Sequence, residues 1–418
     1  MSVRAFLQRL RAAPAAAWLL PACIALLPFS RSYELPILVM AALGLRLLPA
    51  LLRGPFAFDG QRIAAICFLG YWLPELVSAI DSAAPSKSWT EVAADLRFLP
   101  MLLYAQQALA RPGASALALG LLAALIALWC VDALVQAVAG VSLGGANTVD
   151  RLSGIFGDDN LKLGAVMAAV SPLLLLPLRQ RFGWAGFALG AVALGAVILM
   201  AGARAAWASY ALLLALMLWY ALPRLSLRLA ALGGSVLMLG VLGVLALQLS
   251  PRFAERIERT SAALAGDSEA LDHALSYRLP IWRAALAMSA EHPLNGVGVR
   301  AYRYAYPQYA EADDRFLTES EGEQGAFHAH QLVLEILSET GAFGLLCWLA
   351  AALLAVRWAR AQPALERERA WPYTLALIAL LFPLNTHYAV YSSFLSVLLF
   401  ALIALWLGAL STSSRAAR

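Results

Sequence analysis

Between Ser250 and His330 the chain reads SPRFAERIERTSAALAGDSEALDHALSYRLPIWRAALAMSAEHPLNGVGVRAYRYAYPQYAEADDRFLTESEGEQGAFHAH. This polar stretch interrupts a sequence that is otherwise almost continuously apolar. Of the 418 residues, 61% are hydrophobic and only 14% are charged. A water-soluble globule carries nearer a quarter of its residues as charges, so that class is excluded. On both sides of the polar stretch, apolar runs recur that are long enough to cross a hydrocarbon core of about 30 Å. Lipid offers no partners to backbone N–H and C=O groups, so such runs must be helical.

The sequence therefore predicts an all-α integral membrane protein of about twelve transmembrane helices. The expected spans are 13–30, 33–52, 62–80, 89–110, 114–138, 161–178, 184–202, 205–222, 229–249, 332–357, 372–391 and 393–410. The expected organisation is an N-terminal transmembrane bundle over 1–249, a large extramembrane loop over 250–330, and a C-terminal set of helices over 331–418. No internal repeat, low-complexity tract or flexible linker divides it further.

The formal net charge of +5 is not a nucleic-acid signature, because the basic residues are dispersed between spans. They set orientation instead. With a cytoplasmic N-terminus, the inward segments hold most of the arginines, among them Arg4, Arg9, Arg11, Arg46, Arg53, Arg179, Arg181, Arg224, Arg228, Arg357 and Arg360. The short outward loops hold only Arg31, Lys87, Arg151, Lys162 and Arg204. This asymmetry obeys the positive-inside rule. It places the 250–330 loop outside and both termini inside. The Arg-rich start is read as an uncleaved first span, despite a loose likeness of LPAC at Leu20–Cys23 to a lipoprotein cleavage site. Cys23, Cys67, Cys130 and Cys347 fall within apolar spans and read as packing residues.

Within the polar stretch, Arg278–Ala290 has helical periodicity, with Leu279, Trp282, Ala285, Leu286 and Ser289 on one face and Pro280 in the first turn. HPLNGVG then stops the helix. Such a short amphipathic helix would lie at the membrane surface.

Cations at or near membrane depth are costly and are functional candidates by default. Arg151, Lys162, Arg204 and Arg278 come from distant parts of the chain and share the outward face. Converging cations suit a diphosphate, since an Arg fork binds phosphate oxygens in pairs and Lys acts as a point charge. Each has a structural alternative. Arg204 could anchor a helix end, Lys162 could pair with Asp158 or Asp159, and Arg151 could pair with Asp150. Arg278 could cap its own loop, although Tyr277 and Trp282 flank it as binding surfaces would. Asn160 could cap the sixth span.

His330 lies where the polar stretch meets the next span, beside His328. Histidine titrates near neutrality and can accept a proton from a substrate hydroxyl. A hydrogen-bonded structural histidine is the alternative. No third ligand is spaced to make His328-Ala329-His330 a metal site, and no Cys/His spacing reads as zinc. No metal or other cofactor is expected.

His330-Gln331, nine residues, then Gly341-Ala342-Phe343-Gly344 resembles a signature of the O-antigen ligase and polymerase superfamily. SYRLPIWRAALAMSAEHPLNGVG resembles that family's preceding segment. RLSGIFGDDN resembles its Arg-x-x-Gly-x-Phe-x-x-x-Asn element, and GARAAW its Gly-[Ser/Ala]-Arg helix start. The likeness covers roughly 140–390, with the motifs in the family's order and spacing.

The resemblance implies a glycosyltransferase of the GT-C type in the bacterial inner membrane. It implies a glycan donor carried on undecaprenyl diphosphate, lipid A–core as acceptor, membrane lipids around it and an active site facing the periplasm. It implies His330 as the base, Arg204 and Arg278 as diphosphate ligands, and Arg151 as an assisting one. The carboxylate that some relatives carry near the eleventh helix is absent from LNTHYAVYSS, where Asn385 or His387 could substitute. An axially linked donor displaced directly implies inversion at the anomeric carbon. A polymerase of O-antigen shares most of this machinery. A protein O-oligosaccharyltransferase usually has more chain after its last span than STSSRAAR. A flippase or other transporter would show two similar halves.

The topology has a direct test. Ser268→Cys should react with a membrane-impermeant thiol reagent in intact spheroplasts; labelling only after lysis would reverse the orientation.

Overall fold

The computed structural model describes residues 12–54, 58–146, 151–158, 160–249, 277–318, 324–383 and 389–412. Asn385 and His387 lie outside the described residues, as does most of the first half of the polar stretch. Helix dominates what is described. Among the described residues, six helical segments are long and apolar enough to cross a membrane: Ser30–Arg53, Ala114–Ala139, Pro172–Met200, Arg204–Ala221, Leu332–Arg360 and Ser393–Leu410. The shortest has 18 residues, which rise about 27 Å along a helix axis. Ala16–Ala25 and Leu225–Met238 are apolar but shorter. The protein is thus an all-α, multi-pass membrane protein. The only strands among the described residues are a minimal hairpin in which Val141 pairs with Ala146 and Ser142 with Gly145.

Several expected spans are interrupted. The stretch 89–110 is two helices, Pro85–Asp95 and Phe98–Leu109. Arg97 stands at the break. It forks onto Glu34 (Nε–Oε2 2.9 Å, Nη2–Oε1 3.1 Å) and reaches Asp95 Oδ1 at 2.7 Å. A guanidinium so committed cannot sit on a lipid-facing helix wall. The second piece instead buries Phe98, Met101, Leu102 and Leu103 completely. The expected span 161–178 is also broken, since Lys162–Val170 ends at Ser171. The helix Pro172–Met200 turns at Gly183, where φ is 66° and ψ is −156°, between the expected spans 161–178 and 184–202.

The chain forms two compact units. Residues 1–118, 278–371 and 388–418 make the first, and residues 119–277 and 372–387 the second. The described half of the polar stretch, from Arg278 on, belongs to the first. Its helix Leu279–Glu291 buries Ile281, Ala284, Ala285 and Met288. That stripe differs from the expected face, because Leu286 is 56% exposed and Trp282 lies at the edge. The positions i, i+3, i+4 and i+7 meet Val297, Ala301, Tyr302, Ala305 and Tyr306, and these neighbours select the face. Full burial of Ile281 and Met288 contributes about 1.5–3 kcal/mol each. Tyr302 stays satisfied inside by donating its hydroxyl to Ile281 O at 2.7 Å.

After this helix, HPLNGVG docks by its backbone onto the helix Leu332–Arg360. Val297 N donates to Ser338 O at 2.8 Å, and Gly298 N to Glu339 O at 3.1 Å. Reciprocally, Ala342 N donates to Pro293 O at 2.9 Å, and Phe343 N to Leu294 O at 3.0 Å. The long helix can offer those amides because Gly341 breaks its ladder, with φ 67° and ψ −170°. A Cβ on Gly341 would collide with the backbone of Leu294 and Asn295, and one on Gly296 with that of Ser338, Glu339 and Thr340. Both glycines also hold left-handed backbone. Gly341→Ala should therefore cost at least about 1–2 kcal/mol and lower the apparent Tm in detergent. An unchanged Tm would mean that the break is not a constraint.

Candidate active site

In the first unit the N-terminal end of Leu332–Arg360 organises the candidate residues. Gln331 caps the helix by accepting from Leu334 N through its side chain, which fixes His330 just before the first turn. His330 takes left-handed backbone with φ 52°, and Tyr277 (57°) and Arg300 (60°) do the same. For residues with a Cβ that conformation costs on the order of 1–3 kcal/mol, and it persists only where surroundings enforce it. The enforcing bonds are visible. His330 N donates to His328 Nδ1 at 3.2 Å, and the two imidazoles stack with centroids 3.8 Å apart. Trp282 Nε1 donates to Ala329 O at 3.1 Å and ties the turn to the amphipathic helix.

Behind the histidines stand two carboxylates one helical turn apart, Glu335 and Glu339, both almost fully buried. Glu335 Oε2 lies 3.2 Å from His328 Nδ1, and its Oε1 accepts from Val390 N at 2.8 Å. Glu339 Oε2 accepts from Arg300 N at 2.8 Å. The positive charge of Arg300 acts on both acids and on His328. Burial first, then the charges of Arg300 and Arg278, push the His328 imidazole down to about 3. His328 is thus neutral at ordinary pH, and its contact with Glu335 is a hydrogen bond rather than an ion pair. The structure brings together Arg278, Trp282, His328 and His330. Sequence reasoning missed Glu335, Glu339 and Arg300. Two acids spaced i, i+4 at the start of an apolar helix, and an arginine two residues after Gly-Val-Gly, were the available signals.

In the second unit Arg151, Lys162 and Arg204 gather around one turn. Gly202 has φ 76°, Ala203 is extended, and Arg204 is the first residue of the helix Arg204–Ala221. Leu152 N donates to Met200 O at 3.4 Å, bringing the Arg151 loop to that turn. A Cβ on Gly164 would touch Ala201 and Ala203, so the helix that starts at Lys162 lies against the same turn. Asn160 Oδ1 accepts from Lys162 N at 3.2 Å, but Leu161 rather than Asn160 occupies the N-cap, because the helix begins one residue later than a cap at Asn160 requires. Gln136 fixes the loop by accepting from Ser153 N (3.0 Å) and Gly154 N (2.8 Å). Asp159 is outside the described residues. Among the described residues, no group of three or more His, Cys, Asp or Glu side chains is arranged to hold a metal.

Residues 189–349 match the family model described as O-antigen ligase. That stretch is an O-antigen ligase family domain. None of the curated proteins matches it. The family indicates a glycosyltransferase-like enzyme with ligase- or polymerase-type activity on O-antigen. The O-antigen ligase match takes in Arg204, Arg278, Trp282, His328, His330, Gly341 and Gly344. Arg151, Lys162, Asn385 and His387 fall outside it.

The depressed His328 value has a consequence for stability. In an unfolded chain the imidazole titrates near 6.5, whereas in the fold it does so near 3. The folded state binds fewer protons between those values. Its stability from this group is complete above about pH 6.5 and is lost as pH falls towards 3. His328→Gln should lose less Tm than the parent between pH 7 and pH 4; parallel acid slopes for the two would show that His328 titrates normally in the fold.

Proposed function

We propose that the protein is an O-antigen ligase, transferring O-antigen polysaccharide from undecaprenyl diphosphate to a sugar hydroxyl of lipid A–core at the periplasmic face of the inner membrane. The observation that carries this reading is the His330 turn. It sits within the family-matched stretch and is held in a costly conformation beside a histidine on which Arg278 acts.

In this reading His330 accepts the proton of the acceptor hydroxyl as its oxygen attacks the anomeric carbon. The bond from that carbon to the diphosphate oxygen breaks, and undecaprenyl diphosphate leaves. Arg204 and Arg278 bind the diphosphate and stabilise the charge that develops on it, with Arg151 and Lys162 adding positive charge. Attack opposite the leaving group inverts the anomeric centre. The arginines supply the cationic character for which other transferases use a metal ion, so activity should not require a divalent cation. Tyr277, Trp282 and His328 line the approach, and Asn385 and His387 are further candidates for holding the acceptor.

Ligation and donor-binding assays on matched preparations test the assignment. His330→Ala should reduce turnover by about 10²–10⁴-fold while donor still binds. Arg204→Lys and Arg278→Lys should weaken both binding and turnover, because an ammonium lacks the bidentate fork. Near wild-type ligation by His330→Ala would remove it as the base. In cells, deletion should leave lipid A–core bare while undecaprenyl-linked polymer accumulates; single short units on the core would point to the polymerase instead.

A further inference from the structure

We propose that Glu335, acting through His328, is a positioning residue for His330. The proposal rests on the reading of His330 as the base and assigns work to two neighbours that touch no reacting atom. His328 Nδ1 has one in-plane site, which either carries a proton or offers a lone pair. It faces two groups, the backbone amide of His330 and Glu335 Oε2, both at 3.2 Å. An amide can only donate, so Nδ1 must present its lone pair and the ring proton must sit on Nε2. Burial and the nearby charges of Arg300 and Arg278 favour this neutral ring. With Nδ1 bare, Glu335 bonds it by offering a proton. His328 therefore has its Nδ1 engaged twice over and is not a second base.

The other oxygen of Glu335 is equally committed. Oε1 accepts the Val390 amide at 2.8 Å, joining the His-Ala-His turn to the chain that leads into the last helix, Ser393–Leu410. The side chain is 1% exposed, so water does not compete for either oxygen. What this clamp holds is the left-handed residue His330, whose amide is bonded to Nδ1 and whose ring rests on the His328 ring. The groups facing the pair are Arg300 and Arg278, and the neighbouring acid on the same helix is Glu339. None of these replaces the bond to Nδ1. Without Glu335 the His328 ring is free to rotate, and the His330 amide loses a fixed acceptor. The base is then displaced, and an error of about 1 Å at a reacting group costs about 10²-fold in rate.

The experiment uses the full chain in detergent with undecaprenyl-linked O-antigen as donor and lipid A–core as acceptor. It measures kcat and KM for Glu335→Ala, Glu335→Gln, His328→Ala and His330→Ala. Glu335→Ala and His328→Ala should each lower kcat by about 10²-fold and leave the donor KM within about twofold. Glu335→Gln should recover most of the turnover, because its amide nitrogen can donate to Nδ1 while its oxygen still accepts from Val390. Wild-type kcat in Glu335→Ala, or a loss confined to KM, would overturn the proposal. A glutamine variant as slow as the alanine variant would overturn it too, by showing that the carboxylate is needed as an anion. If Glu335→Ala does not fold, Glu335→Gln and His328→Ala decide. The base assignment fails separately, through near wild-type turnover in His330→Ala. The ligase reading fails separately again, if the parent protein transfers nothing to lipid A–core.

Discussion

The arrangement depends on one backbone-to-backbone contact, the docking of HPLNGVG into the break at Gly341. Four main-chain hydrogen bonds cross that contact, two in each direction. They do two jobs at once. They satisfy amides and carbonyls that a broken helix near membrane depth would otherwise leave bare, where each such group costs several kcal/mol. They also fix the start of Leu332–Arg360 against the segment that runs from the amphipathic helix through Arg300. The carboxylates of Glu335 and Glu339, the left-handed Arg300 and the His328–His330 turn all hang from that junction. The Gly341-x-x-Gly344 spacing and the Gly-Val-Gly turn are thus halves of a single structural device, 43 residues apart at Gly298 and Gly341.

The polar groups around this junction are held in a consistent way. The buried polar side chains of the site bond backbone. Glu335 takes the Val390 amide, Glu339 the Arg300 amide, and Trp282 gives to the Ala329 carbonyl. Ser88 gives to the Val299 carbonyl, and Ser78 accepts the Val299 amide at 3.0 Å. Side-chain bonds to backbone set where the chain goes, so these acids and hydroxyls act as part of the scaffold. In an apolar surrounding such bonds are strong, and an unmade one is expensive. That is how strained backbone at Arg300 and His330 can persist.

Much of this was legible in the sequence. Composition and run length gave the membrane class, because a lipid-spanning helix has no alternative to being long and apolar. The Arg278, His328 and His330 neighbourhood was legible because its motifs are contiguous and glycine-marked. Three things were not. The buried face of Leu279–Glu291 was misjudged, because which stripe is covered depends on Tyr302 and Tyr306, which arrive later in the chain. The stretch 89–110 looked like one span, because hydropathy averages over Arg97 and cannot see that Glu34 awaits it. Glu335 and Glu339 do not stand out, because acids in a hydrophobic run read as exceptions until their amide partners are known.

Those acids also change how the adjacent histidines are read. From the sequence, His328 and His330 look like equivalent candidates for base or ligand. Their surroundings separate them. His328 is buried, faces two arginine charges, and has its Nδ1 occupied by an amide and an acid. A ring so placed resists protonation and holds its neighbour. The two rings lie against one another, with centroids 3.8 Å apart and planes tilted by 38°. That geometry suits one ring serving as a platform for the other. The platform lets His330 keep an uncommon backbone conformation, and with it a ring orientation that an ordinary loop would average away.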